Sequence, residues 1–317
     1  MKKINLTFLC LLFAFGATAE ERHADYQADS LAFVQAPWKV TELEKGATAM
    51  YAQFEMFNSM QSISVVKYPL KKFQTEIVHR PAEISGTPSS IGKELNASFV
   101  INAGYFHVDK MIPSVHFRKG KEILGYTNPP ELYRVNGLMG FKDKKGHKPM
   151  IADAPDSLMY AKVSKGWHTS MASGPMLIVD GEMVVPVLMG DRADGENIAA
   201  MKQEQKTGSK HTTHYSSAAF YDRRHPRAIY GYDDKGYGYL IVIDGRFKGQ
   251  GEGASIYECA FICQMLGITQ AINLDGGGSS TMYVHGKPHN GVVNYPSDNK
   301  QHDHEGQRPV SNAILVL

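Results

Sequence analysis

Cysteine is scarce in this chain: three residues in 317, namely Cys10, Cys259 and Cys263. That excludes a disulfide-framed scaffold, so stability has to come from a packed core. Cys259 and Cys263 are four apart, on one face of a predicted helix, and are expected to pack there as small apolar side chains rather than as half of a metal site. Tryptophan is scarcer still, with only Trp38 and Trp167, which is thin for a module that binds sugars on aromatic platforms. Neither sign of charge dominates: 34 basic residues face 32 acidic ones, and no general surface for nucleic acid follows. The chain has no sequence repeat, no G-x-S-x-G elbow, no Walker loop and no H-E-x-x-H helix.

Long apolar runs are also missing, apart from one at the start. Lys2 and Lys3 precede an apolar stretch from Ile4 to about Gly16, and Ala17-Thr18-Ala19 supplies a small-x-small pattern. Residues 1–19 therefore read as an export signal, and 20–317 as one domain working in the periplasm or outside the cell. Cleavage after Ala19 removes Lys2 and Lys3 and no acid, so 34 less two leaves 32 basic residues against 32 acidic. No later run is long enough to span a membrane.

What the sequence does contain is a series of short apolar segments bounded by Gly, Pro, Asn or Asp. Strands are expected at 62–68, 98–101, 176–180, 239–244, 271–274, 282–285 and 313–317. Helical patterns are fewer. The firmest opens at Ser255, has Glu258 placed for a capping box, and ends before Gly267. Lying between the strands that end at Asp244 and Leu274, it predicts a βαβ unit with parallel neighbouring strands. The fold class is α/β (α+β): a strand-rich mixed sheet with few helices, in a single domain. Stretches 109–166 and 190–217 read as excursions from the sheet; the second carries His211 and His214, a pair taken as part of a solvated loop.

The βαβ reading brings Asp244-Gly245-Arg246 and Asp275-Gly276-Gly277-Gly278-Ser279-Ser280 to one rim. Consecutive glycines can turn several N–H groups toward one point, which suits a phosphate, although a tight hairpin uses glycine as well. Arg227, in His225-Pro226-Arg227, and Arg246 have the planar donor fork that fits phosphate; for Arg246 an ion pair with Asp244 or Glu252 is the alternative. Asn102, Gly104 and Tyr105 end a buried strand and could serve a sugar, or could be turn former and core. The same choice applies to Ser173 and Gly174, and to Asn312.

Taken in order, six segments carry a resemblance: 100–106, 172–175, His225-Pro226-Arg227, 242–246, 272–280 and 308–312. Together they resemble the phosphodiester glycosidase family over most of the chain, with Asn102-Ala103-Gly104-Tyr105-Phe106 departing mildly from the usual Asn-Gly-Gly-Phe-Phe. The resemblance implies a hydrolase that frees a sugar, of the N-acetylglucosamine kind, from a phosphorylated glycan or sugar-phosphodiester polymer. On that reading Asp275 or Asp244 faces the anomeric carbon. Arg227, Arg246, Gly276, Gly277, Gly278, Ser279 and Ser280 take the phosphate, and Asn102, Gly104, Tyr105, Ser173, Gly174 and Asn312 take the sugar. No cofactor or metal is expected. The alternatives are a non-catalytic glycan-binding or polysaccharide-assembly protein, or a P–O-cleaving phosphodiesterase holding Mg²⁺ or Ca²⁺ on Asp244, Asp275 and Asn102.

Overall fold

The computed structural model describes residues 26–185 and 217–317. The expected signal at 1–19, the stretch from 190 to 216, and His211 and His214 lie outside the described residues. Strands dominate, as the short apolar segments predict, and they form three main sheets with five short helices among the described residues.

The largest sheet has eight strands, in the order Lys39–Glu42, Thr48–Met56, Ser59–Pro69, Tyr237–Ile243, Arg227–Tyr232, Gln270–Asn273, Met176–Val179 and Glu182–Met183. A four-stranded sheet orders Met282–Val284, Phe99–Asn102, Asn312–Val316 and Thr75–His79. Residues alternate between faces with the period of two that a strand imposes. Leu240 and Val242 enter a core shared with Ile101, Ile314 and Phe117, where the sheets meet, while Ile241 and Ile243 pack on the other side against the Ile256–Met265 helix.

That helix forms as expected. Ser255 Oγ accepts from Glu258 N while the Glu258 side chain accepts from Ser255 N, the reciprocal pairing that satisfies two otherwise orphaned donors, and Gly267 follows at φ +72°. Cys259 and Cys263 are free and fully buried on it, and burial pushes the Cys259 thiol up to about 12.

Two expectations change. The strands Tyr237–Ile243 and Gln270–Asn273 do run in the same direction, but they are not neighbours: Arg227–Tyr232 lies between them and pairs antiparallel with both. The helical crossover thus skips one strand, and every ladder in the sheet is antiparallel. The stretch 109–166 is no excursion either. It contributes Phe117–Lys119, Glu122–Gly125, Gly137–Phe141 and Pro149–Asp153 to a five-stranded sheet completed by Thr169–Ser173. Glycines and polar turns break these strands into pieces too short to show a period. At Gly140 a side chain is sterically impossible, because a Cβ would lie 1.9 Å from Thr169 O.

Candidate active site

Because the same-direction strands end at one edge of the sheet, Asp244 and Asp275 share a rim, with the His225-Pro226 turn between them. Three glycines from two loops allow this convergence. A Cβ on Gly245 would lie 2.5 Å from Pro226 N, one on Gly253 2.6 Å from His225 C, and one on Gly276 2.6 Å from Pro226 O. Gly277 N then donates to Pro226 O at 2.9 Å and fastens the glycine loop to the turn.

Asp244 is held from all sides. It is 1% exposed, its Oδ2 accepts from Ser62 Oγ at 2.7 Å, and its Oδ1 accepts from Asn294 Nδ2 at 2.8 Å and Tyr295 N at 2.9 Å. Burial pushes its carboxyl up to about 6 against the pull of these donors. Asn294 also donates to Ser280 O and accepts from Met282 N, so Asp244 anchors the far end of the glycine loop through one asparagine.

Asp275 lies at the near end and keeps part of its surface exposed. Its carboxyl is likewise pushed up to about 6 by burial. The Arg134 guanidinium, the Ser279 hydroxyl and Arg308 oppose that shift, and Glu131 reinforces it. Glu131 and Arg134 belong to the stretch 109–166, expected to be an excursion from the sheet, and neither is among the candidate site residues read from the sequence. Arg134 Nε donates to Glu131 Oε2 at 2.6 Å, and its guanidinium lies 3.8 Å from the centre of the Tyr105 ring. Their polar, proline-led surroundings look like any surface loop, and only an E-x-x-R spacing marks the pair.

Beside the glycine loop is a cavity of about 580 Å³ lined by Arg246, Phe247, Ser297, Asp298, Lys300 and Arg308. Three cations against one carboxylate make it electropositive, and Asp298 is already paired with Arg308. Gly277 and Gly278 border this cluster: a Cβ on Gly277 would lie 3.0 Å from Arg246 Nη2, and one on Gly278 2.5 Å from Arg308 Nη2. Arg246 takes the left-handed backbone at φ +74°, a conformation disfavoured for a side-chain-bearing residue, and donates to Ser297 Oγ at 3.3 Å. Ser280 Oγ and Thr281 Oγ1 are buried without a hydrogen-bond partner among the described residues.

The remaining expected site residues take other positions. Arg227 is 2% exposed, and its guanidinium donates to the carbonyls of Ala254, Phe220 and Arg223 at 2.9 Å each, on the face toward the helix. It ties three chain segments together, and those bonds commit much of the fork expected to grip phosphate. Asn102 is fully buried; its amide donates to Asp275 O and accepts from Thr281 N, clasping both ends of the glycine loop. Tyr105 is 1% exposed, with its hydroxyl on Gly174 O and one ring face covered by Arg134. Ser173 Oγ donates to Asn273 O, and Gly104 N donates to Asn312 Oδ1. Of the amides expected to cup an anion, those of Gly277, Ser279 and Ser280 are spent on Pro226, Gly276 and Gly277 carbonyls. Among the described residues no group of three His, Cys, Asp or Glu side chains is placed to hold a metal ion.

A model of the phosphodiester glycosidase family matches residues 95–317. The N-acetylglucosamine-1-phosphodiester alpha-N-acetylglucosaminidase of Bos taurus is 36% identical over 75 residues, which span 24% of this chain and 13% of the bovine protein. Among solved structures, a hypothetical protein from Synechocystis superposes with a TM-score of 0.57 and 17% identity, over 88% of this chain and 63% of that one. The zebrafish N-acetylglucosamine-1-phosphodiester alpha-N-acetylglucosaminidase catalytic domain, auto-inhibited by its pro-peptide, gives 0.55 and 17%, over 88% of this chain and 81% of that one. At such identities the superpositions establish a shared fold. This chain covers less than two thirds of the bovine and Synechocystis proteins.

Proposed function

The chain belongs to the phosphodiester glycosidase family, a family of hydrolases, and on that premise we propose that it cleaves the sugar–oxygen bond of a sugar-1-phosphodiester. The substrate is a phosphorylated glycan or wall polymer carrying a sugar of the N-acetylglucosamine kind. Residues 20–317 act as one unit, exported by the signal 1–19, which is then removed. The observation that carries the reading is the juxtaposition at the glycine loop: the perturbed carboxyl of Asp275, on which Arg308 acts, stands at its start, and Gly277 and Gly278 lie against Arg246 and Arg308 of an electropositive cavity also lined by Lys300.

A phosphate monoester is a good leaving group, so the reaction needs no strong general acid. The C1–O bond breaks with its electron pair going to the phosphate oxygen. Arg246, Lys300 and Arg308 stabilise the charge gathering there, which is the usual main contribution of donors fixed in advance. Asp275 faces the anomeric carbon and meets its developing positive charge, while water supplies the new hydroxyl and its remaining proton goes to the departing phosphate monoester. Arg134 and Glu131 set the ionisation of Asp275 with opposite signs. Asp244, Arg227, Asn102, Tyr105, Ser173, Gly174, Gly104 and Asn312 hold the loops in place from beneath.

The test is to incubate the purified protein with α-N-acetylglucosamine-1-phosphodiesters and related sugar-1-phosphodiesters, and to quantify free sugar and phosphate monoester separately. Free sugar in equal amount to phosphate monoester supports the reading. Sugar phosphate with free alcohol would identify P–O cleavage instead.

A further inference from the structure

A second cavity, of about 530 Å³, opens on the five-stranded sheet between the Phe117–Lys119 strand and the Tyr160–Val163 helix. It shares no lining residue with the cavity beside the glycine loop. Its size is that of a small-ligand site, and its walls are mostly apolar with a few polar groups, the usual make-up of such sites. Trp167 and Tyr160 are nearly buried in the wall, and Tyr126 is 70% exposed. Tyr126 is not an isolated exposed ring, since Ile123, also in the lining, is 47% exposed and Leu158, next to lining residue Ser157, is 87% exposed.

The charge of this cavity is one-sided. Arg118 and Lys165 line it, and among the described residues no lining residue is acidic. Arg118 is fixed without a carboxylate: its Nη1 donates to Gly120 O at 2.6 Å, and its Nη2 donates to the carbonyls of Ser164 at 3.3 Å and Trp167 at 3.1 Å. Carbonyl dipoles orient the guanidinium, and among the described residues it forms no ion pair. His116, against Tyr160 with ring centres 5.1 Å apart, is pushed down to about 4 by burial and then by Arg118, so it remains neutral at pH 7.

We propose that this cavity is a second glycan-binding site, which takes a phosphate-bearing sugar unit with its ring against Tyr126 and its anionic group toward Arg118 and Lys165. A sugar ring presents C–H groups that pack on an aromatic face, and the unpaired cations select the anionic unit over a neutral one. Reading the occupant as a glycan rests on the proposed function. The site would hold a polymeric substrate apart from the reacting bond, raising the local concentration of diester links at the glycine loop.

Tryptophan fluorescence reports on it directly. Only Trp38 and Trp167 are present, and Trp38 packs elsewhere, on Phe33 and Phe54. In a Trp38→Phe background, titration with phosphomannan should change the Trp167 emission, and dephosphorylated mannan should bind at least about tenfold more weakly. Tyr126→Ala and Lys165→Glu, both at exposed positions, should each weaken phosphomannan binding by about tenfold, with unchanged kcat/KM on a small sugar-1-phosphodiester. A silent Trp167, equal affinity for both mannans, or unchanged affinity in both variants would overturn the proposal. Binding without turnover of any small diester would keep this site and reject the proposed reaction; turnover without binding would do the reverse.

Discussion

Asp244 and Asp275 follow strands that run the same way, each precedes a glycine, and each has its carboxyl pushed up to about 6 by burial. Their neighbours differ completely. Three donors from Ser62, Asn294 and Tyr295 enclose Asp244, which leaves it no outlet and turns it into an anchor for the glycine loop. Around Asp275 stand Arg134, Glu131 and Arg308, charged groups that tune a carboxylate without enclosing it. The two basic residues show the same contrast. Arg227 is spent on three backbone carbonyls, whereas Arg246 is exposed, strained and beside the cavity. A perturbed carboxyl therefore marks burial, and the company it keeps decides whether chemistry follows.

The sharpest way to break this comparison is to neutralise each aspartate. Asp275→Asn should lower turnover by on the order of 10²–10⁴-fold while circular dichroism stays native. Full activity in a folded variant would remove Asp275 from the reaction. Asp244→Asn should behave differently, because its remaining oxygen still accepts from Asn294 and Tyr295 while the Ser62 hydroxyl turns to accept the new amide. Its activity should stay within about tenfold of wild type. Asp244→Ala strips all three donors of their acceptor and should cost about 1–3 kcal/mol of stability by denaturant titration, as should Arg227→Lys.

At the cavity, Arg246→Gln should raise KM for a phosphodiester by about tenfold with a smaller change in kcat, the signature of lost ground-state recognition. An unchanged KM would move the phosphate elsewhere. The smallest effects concern pH. Removing the Arg134 charge in Arg134→Gln should move the acidic limb of kcat/KM to higher pH, and Glu131→Gln should move it lower; shifts in one direction would contradict the opposed influences on Asp275. For Asp244, whose folded-state carboxyl lies above the ordinary 3.8, the stabilising contribution is present at low pH and lost as pH rises through about 6. Asp244→Asn should accordingly gain stability relative to wild type between about pH 4 and 7.

Much of this protein can be read from residue order alone. The strand segments, the capped helix from Ser255, the buried thiol pair and the shared rim of two aspartates all follow from local periodicity and from chain direction, which neighbouring residues specify. The family is legible too, because six motifs stand in order along the chain. The interposed Arg227–Tyr232 strand, the five-stranded sheet built from 109–166, the inward turn of Arg227 and the meeting of Glu131 and Arg134 with Asp275 came only with the tertiary structure. Each depends on segments distant in sequence meeting in space, and an arginine or aspartate has the same covalent chemistry whether three carbonyls enclose it or a cavity lies beside it. Burial and partners set its charge state and its freedom to act, and those are properties of the packed molecule.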